Sequence, residues 1–375
     1  MSLKKGDIAT KVAMDKLKPF TKKIPETEKA EFNGGAKFCN GDTVMARITP
    51  CLENGKTAYV DMLDDGEIGF GSTEFIVMRA KTGISDPQFV YYTAINPVFR
   101  NVAIKSMVGS SGRQRVQQSV LEELELSVPD LEEQRRIGAF LARIDEKIAL
   151  NDRINDNLEL QAQACFQELF VDNADPEWAI GTISDLGAVV GGSTPSKAKP
   201  EYYTETGIAW ITPKDLSVNK SKFISHGEND ITELGLKNSS ATIMPEGTVL
   251  FSSRAPIGYI AVAAGEVTTN QGFKSIVPKP EIGTAFVYYF LKHNLPIIEG
   301  MASGSTFKEV SGSTMKGVPA VIPDTDTITR FNDFCSPIFA QQRILEEQNQ
   351  SLAALRDNLL PKLMSGEIDF SAVQL

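Results

Sequence analysis

The sequence predicts an α+β protein in which two similar mixed α/β domains are separated by two long antiparallel coiled-coil helices with pseudo-twofold symmetry. Three observations lead to this prediction. The 375-residue chain repeats itself after about 194 residues, each copy ends in a long segment with heptad spacing, and strand-like and helix-like stretches alternate before each segment. We expect a first globular domain at 1–130, a first long helix at 131–175, a second globular domain at 176–325 and a second long helix at 326–375.

The repeat is clearest where each long segment begins. Residues 128–130 (Val-Pro-Asp) correspond to residues 322–324 (Ile-Pro-Asp), and the offset of 194 continues without a gap along both segments. Upstream, the Phe-Val-Tyr-Tyr stretches at 89–92 and 286–289 match at an offset of 197. A period of this length corresponds to a domain with its helix, because the units of solenoid proteins are much shorter. Such a duplication gives one chain two similar but non-identical faces.

Both long segments carry seam residues at alternating spacings of four and three, which is the pattern of a coiled coil. Polar residues interrupt each seam, and such interruptions lower stability but fix register and partner. We therefore expect Asn151, Asn155, Gln341 and Gln348 to set the register of the helix pair. The predicted seams are Ile137, Leu141, Ile144, Ile148, Asn151, Asn155, Leu158, Ala162, Cys165 and Leu169 in the first helix, and Phe334, Ile338, Gln341, Leu345, Gln348, Leu352, Leu355 and Leu359 in the second.

The limits of the two helices follow from local signals. The first helix should extend from about Leu131 to Phe170. In the second, Pro361 should kink or end the helix, and Gly366 is a typical stop signal. An alternative is that each helix packs on its own globular half and not on the other helix.

The two globular halves are predicted to mix strands and helices. Runs rich in β-branched and aromatic residues predict strands at 43–48, 75–78, 248–252 and 275–277. Aromatic-lined helices are predicted at 87–101 and 282–294. Glycine is abundant between these elements, so loops should be numerous.

Composition excludes several classes of protein. No apolar run approaches the roughly 18–20 residues of a membrane helix, and the first 20 residues lack the apolar core of a secretory signal. Four cysteines without CxxC spacing and only two histidines argue against a structural zinc site. We expect free thiols and a cytoplasmic location.

The net charge of −10 weakens a nucleic-acid interpretation without excluding it. Residues 129–175 hold 5 basic and 11 acidic side chains, and residues 324–375 hold 4 and 8. The rest of the chain is close to neutral. Because phosphate binding depends on local clusters of lysine and arginine, the globular halves can still bind DNA.

Motifs for catalysis are incomplete. The Gly-Lys-Thr at 55–57 lacks the glycine that a phosphate-binding loop needs five positions earlier, where Pro50 stands. Residues 96–99 (Asn-Pro-Val-Phe) resemble the Asn-Pro-Pro-aromatic loop of amino-methyltransferases, but no glycine-rich cofactor loop precedes them. Neither His226 nor His293 has a serine or cysteine partner nearby in the sequence. We expect no catalytic site and no cofactor in this chain.

Polar and basic side chains recur at matching places in both halves, which predicts a binding surface present twice. The loop at 106–116 combines glycine and serine, which allow close backbone approach, with arginines that offer forked donors to phosphates or base edges. The first 23 residues add seven lysines against two aspartates. The candidate DNA-binding residues are Arg47, Lys56, Ser110, Ser111, Arg113, Arg115, Lys214, Arg254, Ser305, Thr306 and Lys308.

Several of these segments, in this order, resemble the specificity (S) subunit of a type I restriction-modification system. The resemblance covers nearly the whole chain. The segments that carry it are GDTVMARITPCLENGKTA at 41–58, GSSGRQRVQQSVL at 109–121, the helix PDLEEQRRIGAFLARIDEKIALNDRINDNLE at 129–159, GGSTPSKAKPEYY at 191–203 and GIAWITPKDL at 207–216.

The resemblance implies a fold and a set of partners. It implies two target-recognition domains that each read one half of a bipartite, asymmetric DNA site, with the helix pair setting the gap. It also implies two adenine-N6 methyltransferase (M) subunits docked on the helices and restriction (R) subunits joining them. S-adenosylmethionine is then expected on the methyltransferase partner. The first half has Arg113 and Arg115 in its loop, whereas the matching loop of the second half has Lys308, so the two half-sites should differ.

Other functional classes stay open at this stage. One is a DNA-binding adaptor without a methyltransferase partner, and another is a coiled-coil scaffold whose globular ends bind protein or glycan. Co-elution with a methyltransferase subunit separates the adaptor from a specificity subunit. Failure to bind duplex DNA at any salt concentration would favour the scaffold. An unrecognised hydrolase would reveal itself by metal-dependent nicking of DNA by the isolated chain.

Overall fold

The computed structural model describes residues 2–304 and 308–368. It divides into two compact units, one made of Met1–Leu150 with Asn349–Leu375 and the other of Asn151–Gln348. Both division points lie inside the long helices. Each unit therefore contains one globular region together with a segment of both long helices.

The first part of the chain is a mixture of short strands and helices followed by one long helix. The strands are β1 (Ile8–Val12), β2 (Glu28–Glu31), β3 (Ala36–Phe38), β4 (Thr43–Ala46), β5 (Thr57–Tyr59), β6 (Gly69–Gly71) and β7 (Phe75–Met78). The helices are α1 (Pro87–Ile95), α2 (Pro97–Lys105), α3 (Gln118–Glu122) and the long α4 (Leu131–Gln167), with a 3₁₀ turn at Met14–Lys16 and a π-helical turn at Glu168–Asp172.

The second part repeats this mixture. The strands are β8 (Ala179–Thr182), β9 (Gly187–Gly191), β10 (Tyr203–Thr204), β11 (Trp210–Ile211), β12 (Phe223–Ile224), β13 (Asp230–Ile231), β14 (Val249–Ser253), β15 (Ile257–Ala263), β16 (Thr268–Thr269), β17 (Lys274–Pro278) and β18 (Pro319–Ile322). The helices are α5 (Ile183–Leu186), α6 (Pro213–Val218), α7 (Glu233–Lys237), α8 (Thr284–His293), α9 (Leu295–Gly300), α10 (Gly312–Lys316) and the long α11 (Thr325–Ser365), with a 3₁₀ turn at Pro200–Tyr202.

A fully buried central strand organises each globular region. In the first unit β4 lies between β5 and β7, antiparallel to both, with Thr43 opposite Met78. In the second unit β14 lies between β15 and β17, again antiparallel to both, with Val249 opposite Ile276. A strand that is buried on both faces needs a continuous run of small or apolar residues, and both strands have one. The predicted strands at 43–48, 75–78, 248–252 and 275–277 are therefore confirmed, with shorter or shifted ends.

The predicted helix at 87–101 is in fact two helices. Residue Asn96 separates α1 from α2 with extended backbone angles, φ −56° and ψ 129°, and its side chain accepts a hydrogen bond from the Val98 amide. Pro97 causes the break, because its ring disfavours helical angles at the preceding residue. The second predicted helix, 282–294, is present as α8.

Both long helices begin and end close to their predicted limits. The carboxylates of Asp130 and Asp324 accept hydrogen bonds from the amides of Glu133 and Thr327, so each helix starts with the same aspartate cap. Pro361 was expected to kink or end the helix, and helix α11 continues past it to Ser365, so the helix does not end at this proline. The proline lies in the last turns, where it removes one backbone bond, and the flanking Leu360 and Leu363 are buried in the core. Gly366, at φ 75°, follows the last helical residue, as predicted.

Each unit packs its globular region against both long helices. In the first unit Phe89 and Tyr91 of α1 share a core with Ile137 of α4 and Leu363 of α11. In the second unit Phe286 and Tyr289 of α8 share a core with Phe166 of α4 and Phe331 of α11. The sequence left two alternatives, that the long helices pack on each other or that each packs on a globular half. Both kinds of packing occur, because one face of each helix contacts the other helix and another face contacts the globular region.

In α11 every second residue of the seam lies one position later in the sequence than predicted. Gln341 is exposed and Gln342 is buried, and likewise Phe334 is exposed and Cys335 is buried. A seam that repeats every three and four residues can start in either phase, and the apolar pattern of α11 is compatible with both. The phase in the structure places Arg356 in the seam, where its partner Asp145 is available.

The polar residues of the seam contact one another within each unit. Asn151 Nδ2 donates to Gln348 Oε1 at 3.3 Å, and Gln342 Nε2 donates to the Asn155 carbonyl oxygen at 3.3 Å. In the first unit Asn349 Nδ2 lies 3.5 Å from the Ile148 carbonyl oxygen. Residue numbers rise along one helix as they fall along the other, so the paired segments run antiparallel. Of the four predicted register residues, Gln341 is replaced by Gln342.

In the described part of the chain no helix is long and apolar enough to cross a lipid bilayer. All four cysteines are free thiols, and burial raises the pKa of Cys335 to about 12. Residues 2–304 and 308–368 contain no cluster of three or more His, Cys, Asp or Glu side chains placed to hold a metal ion.

The shifted seam gives a test with adjacent glutamines. Gln342→Ala removes a buried amide that also accepts a hydrogen bond from Lys222, so we expect it to lower the free energy of unfolding by about 1–3 kcal/mol. Gln341→Ala changes an exposed side chain and should shift stability by less than about 0.5 kcal/mol. Urea unfolding followed by circular dichroism measures both, and equal effects would contradict the phase of α11 described above.

Candidate nucleic-acid interface

A short hairpin at residues 108–115 presents the exposed polar side chains of the first unit. Val108 and Arg115 exchange both backbone hydrogen bonds, at 3.0 and 2.9 Å, and close the hairpin. Gly109 has φ +133°, a conformation that side-chain-bearing residues rarely adopt. The tip exposes Ser110, Ser111 and Arg113, three of the predicted DNA-binding residues, to solvent.

A carboxylate at the base of this hairpin holds two of the predicted arginines. Glu74 accepts a forked pair of hydrogen bonds from Arg115, at 2.8–3.0 Å, and its Oε2 lies 3.3 Å from Arg47 Nε. The hydrogen bonds from Arg115 lower the pKa of Glu74, and the charges of both arginines add to this effect. Glu74 therefore stays ionised at neutral pH, fixes the direction of the Arg115 guanidinium by hydrogen bonds and attracts Arg47 by charge.

The second unit contains a matching hairpin. Ser303 and Glu309 exchange both backbone hydrogen bonds, at 3.1 and 2.9 Å, and Gly304 has φ +123°. The hairpins attach to the central strands in the same way: the Val116 amide donates to the Arg47 carbonyl and the Val310 amide to the Ser253 carbonyl. Lys308 is exposed, whereas Ser305 and Thr306 lie outside the described residues.

The two hairpins carry opposite charges at the same place. Glu309 closes the second hairpin where Arg115 closes the first, 194 residues earlier. Glu309 lies 3.3 Å from Arg254, which follows β14, and 3.6 Å from Lys274 of β17. Each unit thus holds two cations on one carboxylate, but the carboxylate lies beside the sheet in the first unit and on the hairpin in the second.

The structure changes the interpretation of three predicted residues. Arg254 does not occupy the position of Arg47: Ser253 does, and Arg254 stands one residue further along. Lys56 is half-buried and donates to the Met14 carbonyl oxygen at 2.9 Å, so this lysine stabilises the fold of its loop. Lys214 is exposed at the start of α6 and pairs with Glu228 at 2.5 Å.

Sequence reasoning missed the acidic partners and one loop contact. Glu74, Glu309 and Lys274 were not predicted, although aligning the copies at an offset of 194 does place Glu309 on Arg115. In the second unit the Ser193 amide donates to the Thr269 carbonyl at 2.8 Å, and Thr194 hydrogen-bonds to Gln271. The Gly272 carbonyl, one residue beyond Gln271, accepts from the Ser253 amide at 2.7 Å. The Gly-Gly-Ser-Thr segment at 191–194 therefore joins the same edge as Arg254.

Comparison with known proteins gives two separate matches to one family. The model of the type I restriction modification DNA specificity domain matches residues 21–160 and again residues 176–354. The two matches correspond to the two copies of the internal repeat, and together they cover most of the chain.

Individual relatives have the same description. The chain is 39% identical over 191 residues to the MjaIX type I restriction enzyme specificity subunit of Methanocaldococcus jannaschii, which covers 48% of this chain and 44% of that protein. It is 25% identical over 407 residues to the HindI specificity subunit of Haemophilus influenzae, covering 88% and 86%. The match thus spans less than half of the MjaIX subunit and most of the HindI subunit.

A solved structure has a similar fold. The S subunit of a type I restriction-modification system from M. genitalium aligns over 99% of this chain and 94% of that chain, with a TM-score of 0.57 and 18% identity. At this identity the likeness concerns the fold alone. The twofold match of the family model carries the assignment, and the chain belongs to the family of type I restriction-modification DNA specificity proteins.

Proposed function

We propose that this chain reads a bipartite, asymmetric DNA sequence as the specificity subunit of a type I restriction-modification complex. Each globular region acts as a target-recognition domain for one half-site. The two long helices, paired as an antiparallel coiled coil with pseudo-twofold symmetry, set the gap between the halves. Proteins that read spaced half-sites place two similar modules at a fixed separation, and a duplicated chain supplies both modules at once.

The observation that carries this proposal is the pair of matched hairpins with exchanged charges. Both hairpins are closed by a pair of backbone hydrogen bonds, and in both the next residue donates its amide to a carbonyl at the end of the central strand, so the two domains can approach DNA in a similar way. Arg115 on one side and Glu309 on the other give the two faces different donors and acceptors. Because direct readout of bases depends on the pattern of donors and acceptors, unlike faces favour unlike half-sites.

The long helices support the assignment of partners. Acidic residues outnumber basic ones in both helix segments, which disfavours DNA on these surfaces and leaves it to the globular regions. The same helices expose the apolar side chains Leu160, Ile344 and Leu355. We propose that two methyltransferase subunits dock on the helices and that restriction subunits join them, in the cytoplasm. This chain would be non-catalytic itself, and S-adenosylmethionine would bind the methyltransferase subunits.

The host's DNA methylation tests the proposal directly. In cells that carry the whole system, deletion of this gene should abolish one bipartite adenine-methylated motif, and single-molecule sequencing of genomic DNA detects its loss. Complementation with the wild-type gene is the control. An unchanged methylation pattern, or the loss of a single continuous motif, would exclude the bipartite reading.

Arg113 offers a test at one half-site. Its side chain is exposed at the hairpin tip, so Arg113→Ala should weaken binding of the assembled complex to its site by roughly 1–3 kcal/mol and relax the base preference of one half-site. Lys81→Ala is the control. This exposed lysine lies beyond the C-terminal end of β7, whereas Glu74 and the hairpin base lie at its N-terminal end. Filter binding to half-site variants at several salt concentrations measures both. Uniform weakening on all sequences with a flatter salt dependence would instead indicate a phosphate contact.

The two carboxylates predict effects on opposite half-sites. Glu74→Gln removes the negative charge that pairs with Arg115 and Arg47, so these side chains are no longer held in place. Discrimination between base sequences at the first half-site should then fall by about tenfold, which corresponds to a loss of roughly 1.4 kcal/mol of specific contacts. Glu309→Gln should do the same at the other half-site only. Competition binding with libraries randomised in one half-site measures each effect. Equal loss at both half-sites in either variant would contradict the pairing of one hairpin with one half-site.

A further inference from the structure

In each unit a lysine of the globular region is inserted among aromatic rings beside the long helices. Lys22 Nζ lies 5.4, 5.4 and 4.9 Å from the ring centres of Tyr59, Tyr91 and Tyr92. Lys22 therefore differs from the other lysines of the first 23 residues, because its ammonium group packs on these rings and is not free to contact DNA. Its contacts stabilise the fold.

The second unit builds the same kind of cage. Lys222 Nζ lies 4.8, 5.3 and 4.2 Å from the ring centres of Tyr288, Tyr289 and Phe339. Lys222 is buried, with 7% of its surface exposed. A buried ammonium group over several aromatic faces is attracted by each of them, but it still needs hydrogen-bond acceptors.

A tyrosine hydroxyl connects each lysine to a carboxylate on α4. Lys22 Nζ donates to Tyr92 Oη at 3.2 Å, and Tyr92 Oη donates to Asp145 Oδ2 at 2.5 Å. In the second unit Lys222 Nζ donates to Tyr289 Oη at 3.2 Å, Tyr289 Oη donates to Glu159 Oε2 at 2.9 Å, and Lys222 Nζ also pairs directly with the Glu159 carboxylate. We call these two chains of contacts the Lys–Tyr–carboxylate links.

Both links also reach α11. In the first, Arg356 of α11 donates to Asp145 Oδ1 at 2.6 Å. In the second, Lys222 donates to Gln342 Oε1 of α11 at 2.6 Å, and the backbone amide of Lys222 donates to Glu346 Oε1 at 2.8 Å. Each link therefore ties its globular region to segments of both long helices by directional contacts.

The charges within the links depend on one another. Burial lowers the pKa of Lys22 to about 8, and the charge of Asp145 opposes this shift. Burial alone would raise the pKa of Glu159, but the charge and hydrogen bond of Lys222 and the hydrogen bond of Lys292 outweigh it and lower the pKa to about 2. A displaced domain would leave these charges buried without partners, so the links penalise every orientation except one.

The two links share their lysine and tyrosine positions but differ in their carboxylate. The residue 194 positions after Asp145 is Phe339, which is a ring of the second cage, and the residue 194 positions after Glu159 is Ala353. The second unit takes its carboxylate from a different position of α4. The tyrosines match in the repeat at an offset of 197, and the lysines hold matching places, since the Lys22 carbonyl accepts from the Tyr59 amide of β5 and the Lys222 carbonyl accepts from the Val262 amide of β15. The lysine and the tyrosine are thus common to both units, and a carboxylate on α4 completes each link from a different position.

We propose that the two Lys–Tyr–carboxylate links are positioning devices, which fix the angle at which each recognition domain is held on its helix segments and thereby restrict the spacer length that the protein accepts. This inference rests on the proposed reading of a bipartite site. One added base pair moves a half-site by about 3.4 Å along the duplex and by about a tenth of a turn around it. A domain held at one angle cannot follow that rotation, whereas a domain that can swing on the helices can.

Adjacent tyrosines give matched variants. Tyr92→Phe and Tyr289→Phe each remove the hydroxyl of a link and keep its ring. Tyr91→Phe and Tyr288→Phe change the neighbouring cage rings, whose hydroxyls make no hydrogen bond to the described residues. The readout is methylation by the complex reconstituted with its methyltransferase subunits, on sites whose spacer is lengthened or shortened by one base pair.

We expect wild type, Tyr91→Phe and Tyr288→Phe to prefer one spacer, and Tyr92→Phe and Tyr289→Phe to lose up to about tenfold of that preference. Thermal unfolding of each complex shows which variants remain folded. Because Lys222 also pairs directly with Glu159, Lys222→Met is measured beside Tyr289→Phe, and we expect it to lose the spacer preference in full measure since it fills the cage without the directional contacts.

Unchanged spacer preference in folded Tyr92→Phe or Lys222→Met complexes would overturn the inference and leave the links a role in stability alone. The same broadening in Tyr91→Phe and Tyr288→Phe would overturn it as well, since loss of packing would then suffice. A wild-type complex that methylates no bipartite site would overturn the proposed function itself. The two failures are therefore distinct.

Discussion

The packing of an aromatic helix against both long helices is the contact on which each unit depends. Helix α1 places Phe89, Tyr91 and Tyr92 against Ile137 and neighbouring residues, and α8 does the same against Phe166 and Phe331. Each large aromatic side chain removes roughly 150–250 Å² from water, so these helices supply much of the hydrophobic contact between globular region and helices. Hydrophobic contact is not directional, however, and the polar groups within it decide the orientation.

The two units show how one scaffold can acquire two surfaces. The central strand, its two antiparallel neighbours and the hairpin attached to it are held by backbone hydrogen bonds, which do not depend on side-chain identity. Side chains at the hairpin base can therefore change sign, as Arg115 and Glu309 have done, provided that an opposite charge lies within reach. Half-exposed ion pairs of this kind contribute little stability, which leaves them free to diverge with the sequence that is read.

Buried polar groups behave differently in the same molecule. Lys222, Tyr289 and Glu159 lie where an unpaired charge is costly, so changing one member without the others is unfavourable. The hairpins can thus vary while the contacts between each globular region and its helices are retained. Both properties agree with the proposed reading of two half-sites, in which new half-sites require new faces and a constant separation requires a fixed orientation of each domain.

The sequence by itself determined the duplication, the starts of the long helices and the central strands, because these depend on the internal repeat and on hydrophobic periodicity. The aspartate caps at Asp130 and Asp324 were not predicted, although both stand at the same place of the repeat. Local spacing did not decide the phase of α11, since the seam through Gln341 and the seam through Gln342 both satisfy a heptad. Packing against α4 selects the seam through Gln342. Nor did the sequence separate Lys22 from the exposed lysines around it, or pair Glu74 with Arg115. Residues that are far apart in the chain come into contact only in the tertiary structure. Which charges are buried and which are paired therefore depends on long-range contacts that a local sequence pattern does not contain.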